Sequence, residues 1–204
     1  MRPTPLIIGI SGKKRHGKDE VAKALASRGV QRVAFADELK RFAMAIWDLS
    51  FEQMYGPDSV RESPDEVWGL SPRAMMQNFG TEVGRNVHPL TWVRRAFRII
   101  DDANQGANVI LPDFGQRCFR SMSLPMAEID VWAIPDVRFK GEAEAIKARG
   151  GVIIKVVRPN LVSTDTHSSE TSVDEVVEDY LIVNDGTLDD LRVKVSAVAD
   201  LVLA

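Results

Sequence analysis

Short apolar runs alternate with stretches of helical spacing along most of the chain. Leu6 to Ile10 is apolar, partly β-branched, and ends in Ser11-Gly12, the pattern of a strand buried in a parallel sheet. From Lys18 the period changes: Val21, Ala24 and Leu25 fall at i, i+3 and i+4, which predicts a helix that stops near Gly29. Gln31 to Ala36 predicts a second strand, and Leu39, Phe42, Ala43 and Ile46 return to helical spacing. Residues 50 to 72 carry the breakers Gly56-Pro57, Ser63-Pro64 and Ser71-Pro72 and read as irregular. Helices are expected over Pro72 to Gly84, Thr91 to Asn104 and Lys140 to Arg149, and strands over Asn108 to Leu111, Ile129 to Ile134, Val152 to Val157 and Tyr180 to Val183. The stretch 159 to 178 is polar and reads as a surface excursion. Thr187 predicts the cap of a last helix with Leu191, Val195 and Val198 on its apolar face. Strands alternating with helices predict an α/β fold, three layers around a mainly parallel five-stranded sheet.

Composition narrows this picture. The 204 residues, 45% hydrophobic and 27% charged, suit a single globular domain with a sizeable core. A net charge of -3 argues against a protein built mainly to bind nucleic-acid backbone and leaves room for a local basic patch. Cys118 is the only cysteine, so no internal disulfide or cysteine-rich metal site can form, and a reducing cytoplasm is expected. No stretch reads as a signal peptide or membrane span.

The strongest chemical signal is Gly12-Lys13-Lys14-Arg15-His16-Gly17-Lys18-Asp19. It follows G-x-x-x-x-G-K-[ST] up to the lysine and places Asp19 where a hydroxyl is usual. A predicted strand precedes it and a predicted helix follows. Glycines let such a loop curl so that successive N–H groups meet phosphate oxygens, and the helix adds the positive end of its dipole. Lys18 can reach the outer phosphates. Asp19 either contacts magnesium, directly or through water, or simply favours the helix N-terminus. Lys13, Lys14, Arg15 and His16 make the loop polar, as a solvated basic loop or as extra attraction for polyphosphate.

Three further segments carry chemistry. Asp37 to Arg41 follows the second strand, where strand C-termini line a ligand crevice; Asp37 and Lys40 read either as site residues or as a helix start with a solvated lysine. Arg73, Gln77, Thr81 and Arg85, with Trp92, bring together groups that could bind a phosphate, pair with a base edge and stack on it; taken singly each has a plainer reading, Trp92 as core and Arg73 as surface. Asp136 and Arg138 follow a strand beside the phosphate loop, where an acid can orient magnesium and an arginine can clamp phosphate.

In this order the segments resemble the deoxynucleoside monophosphate kinases of bacteriophages, distant relatives of adenylate kinase. The likeness rests on Gly12 to Glu20, Phe35 to Lys40, Gln77 to Arg85 with Trp92, Asp136 to Ile146, Val157-Arg158-Pro159, His167 to Glu170 and Ile182 to Thr187. It implies transfer of the γ-phosphoryl group of ATP to a nucleoside monophosphate. Gly12 to Glu20, with Arg158 and Asn184, would bind ATP. Asp37, Lys40, Arg41, Arg73, Gln77, Thr81, Arg85, Trp92 and Arg138 would bind the acceptor, within an insertion spanning 37–105. Lys18, Arg138 and Asp136 would be catalytic, and Asp19 and Asp136 would hold Mg2+. His167, Ser169 and Glu170 would belong to a lid within 159–178. The implied partners are ATP and the monophosphate, with no nucleic acid and no membrane, in the cytoplasm (the host's, for a phage protein), with a homodimer the base-rate oligomer. Two features depart from the pattern. Val109 to Arg117 echoes Trp132 to Arg138, which makes Asp113 a rival to Asp136, and the lid lacks an arginine pair, a charge that Arg158, Arg117 or Arg120 would supply instead. The rival functions are a kinase for another small phosphorylated metabolite, such as phosphomevalonate or dephospho-coenzyme A, and a nucleotide-binding protein without turnover.

Overall fold

The computed structural model describes residues 4–124, 130–159, 161 and 171–204. Along the chain run β1 (Leu6–Ser11), α1 (Lys18–Ala26), β2 (Gln31–Arg32), α2 (Asp37–Trp47), α3 (Phe51–Tyr55), α4 (Asp58–Arg61) and α5 (Pro72–Asn78). A π-helix (Phe79–Arg85), α6 (Thr91–Asn104), β3 (Val109–Asp113), β4 (Cys118–Met122), β5 (Val131–Val137) and α7 (Lys140–Ala148) follow, then β6 (Val152–Val157), a 3-10 turn (Ser172–Glu175), β7 (Tyr180–Val183) and α8 (Leu188–Val202). They form two compact units: Met1–Ala34 with Pro125–Ala204, and Phe35–Leu124.

The first unit is the expected α/β fold. Its strands lie in the order β2-β5-β1-β6-β7, and every pairing is parallel. Because side chains alternate along a strand, β1 serves two faces. Ile8 and Ile10 pack with Val21, Leu25, Leu191 and Val195 of α1 and α8. At Gly9 a Cβ would lie 2.8 Å from Ile146 of α7, so that helix covers the opposite face. Three layers result, with β1 central and its C-terminal end feeding the Gly12 to Asp19 loop. Thr187 caps α8 as expected: its hydroxyl accepts from Asp190 N–H at 3.2 Å while Asp190 Oδ2 accepts from Thr187 N–H at 2.8 Å.

Some expectations shift. Only Gln31 and Arg32 of the second strand join the sheet; Val33 still donates its N–H to Ala133 O at 3.1 Å. The end of the polar 159–178 stretch is not wholly a surface excursion, because Val173 and Val176 are buried at i and i+3.

The second unit is helical, with a core cluster of Ala43, Leu49, Met54 and Met75 and an antiparallel hairpin of β3 and β4. It extends to Leu124, beyond the 37–105 range expected for an insertion. The stretch 50–72, read as irregular, holds two short helices; Ser50 opens the first with a capping box involving Gln53. Ser71 accepts from Ala74 N–H, with Pro72 at the first helical position of α5. Cys118 is half-buried on β4.

Candidate functional site

The loop after β1 adopts backbone angles that its glycines permit. Gly12 has φ 150°, Gly17 φ 106° and Arg15 φ 65°. A Cβ on Gly12 would meet Val156 O at 2.5 Å, and one on Gly17 would meet Asn184 Nδ2 at 2.8 Å. Both glycines are therefore required by space as well as by conformation. His16 N–H donates to Lys13 O at 3.2 Å and closes the turn. Lys18 folds back over the loop, its Nζ donating to Gly12 O at 2.5 Å and Lys13 O at 2.8 Å. Two carbonyl dipoles thus hold the ammonium against the loop.

His16 is almost fully buried. Its Nδ1 lies 3.3 Å from both Val156 O and Arg158 N, and a neutral ring can serve only one of them at a time. Burial lowers the pKa of the ring; the Val156 carbonyl opposes this, and the charges of Lys18 and Lys13 add to the lowering. Asn184, at the end of β7, donates through Nδ2 to His16 O at 3.0 Å, and its N–H donates to Val157 O at 2.7 Å. It therefore fastens the loop to the neighbouring strands.

A cavity of about 350 Å³ opens here, lined by Arg15, Gly17, Lys18, Asp19, Glu20, Arg158, Asn184, Gly186, Thr187, Leu188 and Leu191. Most of the residues expected around ATP are thus brought together. Lys13 instead pairs with Asp174 at 2.8 Å, and Lys14 is half-buried elsewhere on the loop. The lining is apolar at Leu188 and Leu191, cationic at Arg15, Lys18 and Arg158, and acidic at Asp19 and Glu20.

Asp136 lies on β5, the strand paired to β1, where Ser11 aligns with Val137. It is half-buried, as is Arg138. The strand-to-helix corner after them is pinned by Glu142, which is buried and whose Oε2 accepts the N–H groups of Arg138 at 2.8 Å and Phe139 at 3.2 Å. The rival Asp113 belongs to the hairpin of the other unit. Its Oδ1 accepts from Gly115 and Gln116 N–H, and its Oδ2 from Arg120 at 2.9 Å. The Gln116 N–H and Arg120 hold its carboxyl below the usual range. These are the bonds of a turn residue.

In the second unit Asp37 is buried and its Oδ1 accepts from Tyr55 Oη at 2.8 Å. Lys40 Nζ sits 3.7 Å over the Tyr55 ring. Arg41 is held by Glu38 at 2.8 Å and Arg73 lies 3.9 Å from Glu62. Arg73, Gln77, Thr81 and Arg85 recur every fourth residue and are all half-buried. On an α-helix a step of four overshoots one turn, so four such residues would fan around the axis. The π-helix from Phe79 has wider turns, and there the same step falls short. The opposite drifts cancel and keep the four on one stripe. Trp92 supports that stripe from behind: its Nε1 donates to Gly80 O at 3.0 Å, and its ring fills the space a Cβ on Gly84 would need. It packs on the π-helix at this point. The expected lid residues His167, Ser169 and Glu170 lie outside the described residues.

Sequence reasoning passed over Glu38, Tyr55, Arg95 and Glu142. Tyr55 and Arg95 act through partners distant in sequence, whereas Glu38 and Glu142 also carry local signals, an i,i+3 arginine and a helix-start position three residues after Phe139.

The sequence family described as deoxynucleotide monophosphate kinase matches residues 117–195. A protein of Acanthamoeba polyphaga mimivirus, provisionally named deoxynucleotide monophosphate kinase, is 32% identical over 96% of this chain and 96% of its own length. The chain belongs to the deoxynucleotide monophosphate kinase family. The enzymes of that name from Enterobacteria phage T4 and Escherichia phage RB69 are 31% and 33% identical over 64% and 69% of this chain, and the matches span 45% and 50% of those longer proteins. As a kinase family member the chain is a phosphotransferase that acts on nucleotides. Two solved structures align along nearly the whole chain. They are a dephospho-CoA kinase from Campylobacter jejuni (TM-score 0.48, 9% identity, 96% of each chain) and TT1252 from Thermus thermophilus (TM-score 0.47, 16% identity, 97% and 98%). At that level of likeness neither bears on the substrate.

Phosphoryl transfer from a nucleoside triphosphate generally uses a metal-complexed nucleotide. Among the described residues no three metal-binding side chains gather into a cage. Magnesium asks for less, since it keeps waters and leans on phosphate oxygens plus one or two carboxylates. Asp19, exposed at the cavity lining, and Asp136, on the strand beside β1, fit that donor set. No helix among the described residues is long and apolar enough to cross a membrane.

Proposed function

We propose that this chain transfers the γ-phosphoryl group of ATP to a deoxynucleoside monophosphate, giving ADP and a deoxynucleoside diphosphate. The observation that carries the reading is Lys18, held by two loop carbonyls beside a cavity of nucleotide size, in a chain of this family. The loop amides between Gly12 and Asp19 cradle the donor phosphates. Lys18 leaves its carbonyl partners for the outer phosphates and offsets charge as the group moves. Arg158 and Asn184 border the rest of ATP. Asp37, Lys40, Arg41, Arg73, Gln77, Thr81 and Arg85 recognise the acceptor, with Trp92 holding the recognition helix in shape. Arg138 and other arginines hold the acceptor phosphate and stabilise the moving charge. An acceptor phosphate oxygen attacks the γ-phosphorus in line, the bond to the β–γ bridging oxygen breaks, and no covalent enzyme intermediate forms. Asp19 and Asp136 would hold magnesium, directly or through water, and the ion would supply neutralisation of phosphate charge. On this reading the partners are two nucleotides rather than nucleic acid or a membrane surface, and the chain works in the cytoplasm, singly or as a homodimer.

The test is an ADP-release assay over deoxy- and ribonucleoside monophosphates and other phosphorylated acceptors. At least one deoxynucleoside monophosphate should stimulate release strongly, and Lys18→Ala and Arg138→Ala should abolish the stimulation while the protein stays folded. Stimulation by a non-nucleotide acceptor alone, or full activity in both variants, would refute the assignment.

A further inference from the structure

One carboxylate in the second unit organises two arginines from different helices. Glu38, in the first turn of α2, is mostly buried, its side chain 12% exposed. Arg41, one turn on, meets it with both fork nitrogens: Nε donates to Oε1 at 3.1 Å and Nη2 to Oε2 at 2.8 Å. Arg95, from α6, donates through Nε to the same Oε2 at 3.0 Å. The two guanidinium groups are therefore neighbours around one oxygen. Burial alone would raise the Glu38 carboxyl, but the hydrogen bonds from Arg41 and Arg95 outweigh it and keep the group ionised.

The arrangement has more charge and more donors than it consumes. Two cations face one anion, leaving the group net positive. Arg41 spends Nε and Nη2 on Glu38, and Arg95 spends Nε alone; among the described residues, Nη1 of Arg41 and both terminal amino groups of Arg95 meet no protein acceptor. Their side chains are 42% and 40% exposed, so these donors are open to a ligand. Half-exposed ion pairs add little to stability, whereas fixing two long side chains costs rotamer freedom. Fixed forks of this kind match the geometry of a doubly charged phosphate.

We propose that Arg41 and Arg95 form the seat of the acceptor's phosphate monoester, and that Glu38 is the positioning residue that sets the spacing of their forks. This rests on the acceptor role given above to the second unit, adds Arg95 and Glu38 to it, and makes the ligand chemistry a terminal phosphate rather than a base or sugar. Without Glu38 the two cations repel and the forks lose their common anchor.

Two measurements on the full chain test it. The first follows the side-chain Nε–Hε signals of the arginines by NMR during titration with inorganic phosphate. Those of Arg41 and Arg95 should move together and saturate, Arg98 should stay still, and the response should vanish in Glu38→Gln. The second is steady-state kinetics with the best acceptor. Arg95→Ala and Glu38→Gln should each raise the acceptor KM at least tenfold and leave the ATP KM within about twofold; Arg95→Lys, which keeps the charge but loses the fork, should recover only part of the loss. An acceptor KM unchanged in Arg95→Ala and Glu38→Gln, with only the melting temperature lowered, would show a helix tether and overturn the proposal. If phosphate moves the two arginines but no monophosphate accepts a phosphoryl group, the seat stands and the reaction assigned above fails.

Discussion

His16 shows how a single side chain can be structural and still sensitive to conditions. Its ring is enclosed between the phosphate loop and the end of β6, and its carbonyl is held by Asn184. Burial first, and then Lys18 and Lys13, lower its pKa below 6.5 despite the opposing Val156 carbonyl. The native ring therefore stays neutral while an unfolded one binds a proton, so stability should fall as pH drops below about 6.5. An NMR titration should place the His16 midpoint under 6.5; a midpoint above it would contradict the burial argument. At Gly12 the constraint is steric. Gly12→Ala drives a Cβ into Val156 O at a positive φ and should cost about 1–3 kcal/mol in chemical denaturation while weakening ATP binding. A variant as stable as wild type with unchanged ATP affinity would mean the loop is not shaped as described. The glycines and Lys18 were legible because their spacing is local. The bond from Asn184 to His16 spans 168 residues and the one from Arg95 to Glu38 spans 57, and no pattern in the sequence records such partners.

The elements divide in the same way. β6, β7 and the cap of α8 follow directly from apolar runs and from Thr187, since burial in a parallel sheet and a capping box both write themselves locally. The strand expected over Asn108 to Leu111 is found as β3, but its pairing with β4 was not legible, because it echoes β5 in composition; pairing partner and turn, not residue type, distinguish them. Nor was the π-helix, whose extra width leaves no periodic mark in a short segment. That segment makes a prediction of its own. If the widened turns align one recognition face, Gln77→Ala, Thr81→Ala and Arg85→Ala should each raise the acceptor KM about tenfold, near the loss of one good hydrogen bond to a charged group. Glu82→Ala, on an exposed position between them, should not. Equal effects from all four, or none from the three, would show that the stripe does not face the nucleotide.

For the molecule as a whole, the two units should respond to different nucleotides. Hydrogen exchange with a non-hydrolysable ATP analogue should slow around 12–19 and 184–188 in the first unit. A deoxynucleoside monophosphate should slow exchange around 37–41 and 77–85 in the second, with protection of the opposite unit marking the assignment as reversed. Asp136→Asn should lower kcat about a hundredfold or more with ATP affinity little changed, and loss of ATP binding instead would make Asp136 a structural residue. The experiment that bears hardest on the reaction is a 31P NMR time course with ATP, magnesium and a deoxynucleoside monophosphate. ADP and the deoxynucleoside diphosphate should appear in equal amounts, with almost no inorganic phosphate and no turnover in Lys18→Ala. ATP consumption that yields inorganic phosphate and leaves the monophosphate untouched would contradict phosphoryl transfer by this chain.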